Sequence, residues 1–126
     1  MITSYKDMKV YQRAYKGSLE IHKLSLHFPQ HEQYELGAQI RRASKSIAMN
    51  IAEDYGRRAS VADFKRFIVI ALVSANEVRV QLDYCLDLGY INIEQHRLYA
   101  NEYDAIGKML FSIHQNWHKL DQNHSQ

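Results

Sequence analysis

His114 and His118 stand four residues apart, a spacing that would let two imidazoles on one helical face share a metal ion. The residue after His114 is Gln115, so the His-Glu-x-x-His zinc-protease pattern is absent. The pair also falls off the apolar stripe of its segment, where a solvent-facing role is expected. His27 and His31 straddle Pro29 and cannot share a helical face. Paired carboxylates with Glu-x-x-His, the di-iron signature of helical bundles, are missing. Cys85, the one cysteine, lies on an apolar stripe and reads as a small buried hydrophobe. There is no Gly-x-Ser-x-Gly elbow, glycine-rich phosphate loop or Cys-x-x-Cys. The chain is therefore read as non-catalytic, with no metal and no cofactor.

Its cations are more informative. Residues 41–66 carry Arg41, Arg42, Lys45, Arg57, Arg58, Lys65 and Arg66 against Glu53, Asp54 and Asp63. That window is +4 within a chain of net charge +2, which leaves −2 for the remainder. Arg41 and Lys45 are predicted to share an outward helical face, with Arg57 and Arg58 in the turn that follows. Lys65 and Arg66 fall in the first turns of the next helix. Arginine forks match phosphate oxygens, and a ring of subunits would multiply the patch, favouring nucleic-acid backbone, RNA above all, with little base reading. Tyr34 and Tyr55 could stack on single-stranded bases. The alternative for all seven cations is a solvated helix surface.

The elements that must position these groups follow from apolar spacing. Val10, Ala14, Gly17, Ile21, Leu24 and Phe28 mark one helical face. Phe28-Pro29 ends it, because proline disfavours helical geometry in the residue before it. A second helix is predicted from about Gln33 to Tyr55, with Leu36, Ile40, Ala43, Ile47 and Ile51 inward and Gly56 closing it in a left-handed conformation. Ser60 with Asp63 reads as a variant capping box for a third helix. The inward face of that helix is Phe64, Ile68, Ala71, Ala75, Val78, Leu82 and Cys85, and Gly89 stops it. Asn92 with Gln95 caps a fourth, with Leu98, Ala105, Met109, Ile113 and Trp117 inward. The helices are of similar length, roughly 21–29 residues or about 30–40 Å. The expected fold is thus all-α, an antiparallel up-down-up-down four-helix bundle over residues 1–120, with 121–126 a flexible tail.

A polar strip beside the second helix's core (Arg42, Ser46, Asn50, Glu53) faces another on the third (Asp63, Ser74, Glu77, Gln81). An inter-helix hydrogen-bond network is the expected use, since unpaired half-buried polar groups cost about 1–3 kcal/mol each. A second apolar side recurs at Met8, Tyr15, Leu19 and Leu26, at Ala38, Ala48, Met49 and Ala52, and at Ala62, Val69, Val73, Val80 and Tyr84. A four-helix monomer buries one stripe per helix, so self-association is expected. The 126 residues suit one domain, and a lone cysteine suits a reducing cytosol. The first residues lack a signal peptide's apolar core and no 18-residue apolar run exists, so a cytoplasmic bacterial protein is expected, without a membrane partner.

Asp7-Met-x-Val-Tyr-Gln12, Phe28-Pro29, Tyr34-x-Leu-x-x-Gln-Ile-Arg-Arg-Ala43, Ser46-Ile47, Asn50-Ile-Ala-Glu53 and Arg57 together resemble a family. It is the bacterial four-helix-bundle proteins related to large-subunit ribosomal RNA intervening-sequence proteins. Phe64-x-x-Phe67, Ala71-x-x-Ser74-x-x-Glu77 and Leu86-x-Leu-Gly-Tyr-Ile91 continue the resemblance, which spans about residues 5–115. The accessory variability proteins of diversity-generating retroelements share the fold. The resemblance implies a homopentameric barrel and a basic surface that engages nucleic acid, with Arg41, Arg42 and Arg57 at matching positions. For the retroelement branch it implies an accessory scaffold for a reverse transcriptase and its template RNA. The family often has Trp where Tyr11 stands and Glu-Gly where Glu53-Asp54 stands, so Asp54 is expected to add negative charge beside the patch.

Overall fold

The computed structural model describes residues 2–116. Four helices form its body: α1 (Lys9–Ser25), α2 (Leu36–Gly56), α3 (Val61–Asp87) and α4 (Ile93–Gln115). Short 3-10 turns at Tyr5–Asp7 and Gln30–Glu32 precede α1 and α2, and there is no strand among the described residues. Each helix packs against the next, and α1 closes against α4. No helix of the described residues is long and apolar enough to cross a membrane.

Local chemistry sets several boundaries. The Ser60 side chain accepts from the Asp63 amide at the start of α3, satisfying one orphan donor of the first turn. Asn92 and Gln95 make the reciprocal pair at the start of α4. Gly89 stops α3 with φ of 81°, a conformation that a Cβ would penalise. Gly56 corrects the expectation, because it stays helical and Arg57 closes α2 with φ of −109°. The chain also leaves α1 earlier than predicted, at Ser25, and α2 starts later, because the 3-10 turn at Gln30–Glu32 takes up the intervening residues.

The core holds the predicted faces of α1 and α3 in full: Val10, Ala14, Ile21, Leu24 and Phe28, with Phe64, Ile68, Ala71, Ala75, Val78, Leu82 and Cys85. Gly17 is buried with them. On α2, Ile40, Ala43, Ile47 and Ile51 are buried and Leu36 packs at the edge. Burying each such aliphatic side chain contributes about 1.5–3 kcal/mol. On α4 the expected face is misplaced. Leu98 is 61% exposed, and Tyr103, Ile106 and Leu110 form the buried face, with Tyr99, Met109 and Ile113 flanking it. The true repeat runs 99, 103, 106, 110, 113 and depends on two tyrosines whose rings pack as hydrophobes. Trp117 and the tail fall outside the described residues, as does His118.

Tyr103 is admitted by Gly17. A Cβ on Gly17 would lie 3.0 Å from the Tyr103 hydroxyl, so α1 receives the phenol only because the side chain there is a hydrogen. The α1–α4 seam is tied further by the Arg13 guanidinium, which pairs with both carboxylate oxygens of Glu102.

Candidate nucleic-acid interface

The seven predicted cations separate into three groups. Arg41 is half-buried, and its outward placement is corrected. Its Nη1 donates to Ser25 Oγ at 2.8 Å and its Nη2 to the Gln33 carbonyl at 2.6 Å. Gln33 in turn donates to the carbonyls of Ser25 and Phe28 at 2.9 Å each. Arg41 therefore clasps the α1–α2 connection. Gly37 makes room for the clasp, since a Cβ there would lie 2.9 Å from the Glu32 carbonyl and 3.0 Å from Arg41 Nη1.

Arg42 and Lys45 remain exposed on α2. Arg42 borders a polar cleft between α2 and α3 with Gln39, Ser46, Ser74, Glu77 and Gln81. Within that cleft Ser46 and Ser74 hydroxyls meet at 3.0 Å, and Asn50 Nδ2 donates back to Ser46 at both its carbonyl and hydroxyl oxygens. Of the expected inter-helix network, only the Ser46–Ser74 pair joins the two strips among the described residues, because Asn50 bonds within α2. Lys45 Nζ lies 3.1 Å from His22 Nδ1. Burial foremost, then the charges of Lys45 and Arg41, hold the His22 pKa below its usual value, so its ring stays neutral and accepts from Lys45.

The remaining four surround the connection between α2 and α3. Arg57 pairs with Glu53 at 2.9 Å and approaches Asp63 at 3.8 Å, and Arg66 lies 3.8 Å from the other Asp63 oxygen. The guanidinium carbons of Arg57 and Arg66 sit 5.6 and 4.7 Å from the centroid of the Phe67 ring. Arg58 lies 4.1 Å over Tyr55 while donating to its carbonyl at 2.7 Å. Lys65 is half-buried in the second turn of α3. Rings that support flat guanidinium groups hold their forks in place while leaving donor edges toward solvent. Phe67 was not legible as part of this site, because its role depends on Arg57, ten residues earlier at the cap that closes α2. Tyr34 is 91% exposed, whereas one face of Tyr55 is covered by Arg58.

Asp54 overturns its expectation. It is fully buried, and neither carboxylate oxygen has a hydrogen-bond partner among the described residues. Burial pushes its pKa up to about 8, so at neutral pH the group is mostly protonated and contributes little charge beside the arginines. No group of three or more His, Cys, Asp or Glu among the described residues could hold a metal ion. Cys85 is a free, fully buried thiol whose pKa burial pushes up to about 12.

Residues 6–112 match the family described as 23S rRNA-intervening sequence protein. The chain belongs to that family. A solved structure from Bacteroides thetaiotaomicron, a protein of unknown function from the S23 ribosomal protein family, is similar to it at 30% identity. The likeness covers 85% of this chain and 96% of the other, with a TM-score of 0.79. No curated protein matches. Among the residues that carried the family resemblance, Ile40, Ala43, Ile47, Ile51, Phe64, Ala71 and Ser74 are buried, and Arg41 holds a loop. Most of the family motif in this chain is architecture.

Proposed function

We propose that this intervening-sequence family member is a non-catalytic, self-assembling accessory protein of the cytoplasm that binds the backbone of structured RNA. The observation that carries this reading is the trio Arg57, Arg58 and Arg66, supported on Phe67 and Tyr55 around the α2–α3 connection. Glu53 and Asp63 partly offset the trio, but neutral Asp54 does not. The RNA named in the family description agrees with such a surface.

An up-down-up-down bundle accounts for the inter-helix pairs. The start of α2 meets the end of α1 through Arg41 and Ser25, and the end of α3 meets the start of α4 through Asp83 and His96. The homopentameric barrel implied by the family resemblance would set several arginine trios around one rim. Exposed Tyr15, Leu19, Met49, Val73, Val80 and Tyr84 supply apolar surface for such an assembly.

The test is a filter-binding titration of a structured RNA across a salt series. Affinity should fall linearly on logarithmic axes, and each of Arg57→Gln, Arg58→Gln and Arg66→Gln should reduce the slope by about 1. An affinity that is flat between low and moderate salt refutes the reading. A chain that binds no RNA yet retains a protein partner after nuclease treatment would instead be a protein-interaction scaffold.

A further inference from the structure

The bundle is charged unevenly along its length. Ser25 of α1 holds Arg41 and His22 lies against Lys45, so α1 and α2 run in opposite directions. Continued to the far end of the pair, that register brings Lys9, the first residue of α1, level with Arg57 at the close of α2. The 3-10 turn that carries Lys6 packs on both helices. Lys6 and Lys9 therefore share one end of the bundle with Arg57, Arg58 and Arg66. The opposite end is made by the α1–α2 and α3–α4 connections, which the Tyr90 hydroxyl joins by donating to Glu32 at 2.8 Å. Glu32, Glu35, Asp83, Asp87 and Glu94 lie there, against Lys23 and Arg97.

Lys6 and Lys9 are held in place without being neutralised. Both are exposed, and neither makes an ion pair among the described residues. Gln12 donates to the Lys6 carbonyl at 2.8 Å, and Ser4 with Asp7 forms a capping box on the turn. Asp7, the nearest acid in the chain, accepts from Thr3 and Ser4. Of the other acids at this end, Glu53 and Asp63 lie against the arginines, and Asp54 is mostly protonated.

The placement of these cations favours one form of RNA. They belong to the ends of three helices, and α1 and α3 each meet α2 but not each other. Neighbouring axes lie about 8–10 Å apart, so the charges cover a face rather than follow a line. A single strand is held by a groove that tracks one backbone and by free rings for its bases. Tyr55 and Phe67, the rings beside the trio, are engaged by guanidinium groups. Tyr34 precedes α2, about 30 Å away along a 21-residue helix. A duplex presents two phosphate backbones flanking a wide, shallow minor groove and is recognised without stacking.

We propose, on the basis of the RNA reading above, that this end of the bundle binds double-helical RNA across its two backbones. Lys6 and Lys9 add phosphate contacts to those of Arg57, Arg58 and Arg66, and the acidic end faces away from the RNA.

Filter binding of an RNA duplex and of one of its separated strands, each across a salt series, tests this. At a given salt concentration the duplex should bind at least about tenfold more tightly. Lys6→Gln and Lys9→Gln should each reduce the slope for the duplex by about 1, whereas Lys23→Gln and Arg97→Gln, at the acidic end, should leave it within error. Circular dichroism on the four variants confirms that helicity is kept. A strand that binds as tightly as the duplex refutes the assignment of double-helical RNA. Lys6 and Lys9 variants with an unchanged slope, while the Arg57, Arg58 and Arg66 variants lower it, refute the wider surface and leave the RNA reading standing. A slope lowered equally by Lys23→Gln and Arg97→Gln refutes the one-ended orientation. Affinity that is flat in salt for both RNAs refutes the RNA reading itself.

Discussion

Asp54→Asn should make the protein more stable at pH 8 while leaving its stability near pH 4 almost unchanged. The Asp54 carboxyl moves from an ordinary value of 3.8 to about 8 in the fold, because burial removes its hydration and no hydrogen bond from the described residues replaces it. A folded-state pKa above the unfolded one means that the native protein binds this proton more tightly. Stability from this group is therefore fully present below about pH 4 and is lost as pH rises through the folded value. The slope approaches 1.4 kcal/mol per pH unit, so the whole window corresponds to about 6 kcal/mol. That is comparable with the entire stability of many domains. Asparagine keeps the shape and carries no titrating proton. Urea denaturation followed by circular dichroism between pH 4 and pH 9, at one fixed protein concentration because assembly contributes, should give two curves that meet at the acidic end and diverge above it. Asp7, whose hydrogen bonds from Thr3 lower its pKa, acts with the opposite sign and below this window, and it cancels in the comparison. His22, whose pKa is lowered, also acts with the opposite sign and likewise cancels in the comparison. Parallel wild-type and variant curves would therefore show that Asp54 is not buried as a proton-bearing carboxyl.

Arg41→Ala should lower stability by about 2–4 kcal/mol, since it removes two charged hydrogen bonds and strands the Gln33 carbonyl. The salt slope of RNA binding by the folded protein should stay within error, and a lost slope without lost stability would return Arg41 to the nucleic-acid surface. Gly17→Ala should cost about 1–3 kcal/mol by forcing a methyl against the Tyr103 hydroxyl. Tyr103→Phe should recover most of that cost, because it deletes a buried hydroxyl that has no hydrogen-bond partner among the described residues. Additive effects in the thermal melts of this double-mutant cycle would refute the contact.

Features that depend on neighbouring residues in the chain were legible from the amino-acid order. Ser60 and Asn92 cap helices because their side chains reach amides three residues on, and Gly89 ends α3 because glycine tolerates positive φ. The stripes of α1, α2 and α3 were legible because aliphatic residues repeat at helical spacing with little ambiguity. The α4 stripe was not, since tyrosine occurs both in cores and on surfaces, and only Gly17 on another helix determines that Tyr103 is buried. The cations divide in the same way. Their clustering within 41–66 is a property of the order alone. Their roles are not, because each depends on a partner brought near by packing: Ser25 and Gln33 for Arg41, His22 for Lys45, Phe67 for Arg57. Asp54 is the clearest case. One residue after Glu53, which stays in water and pairs with Arg57, its rotation of about 100° around the helix axis carries an identical functional group into the core. The sequence placed both carboxylates beside the arginines, and only the packing of the helices decided which of them keeps its charge.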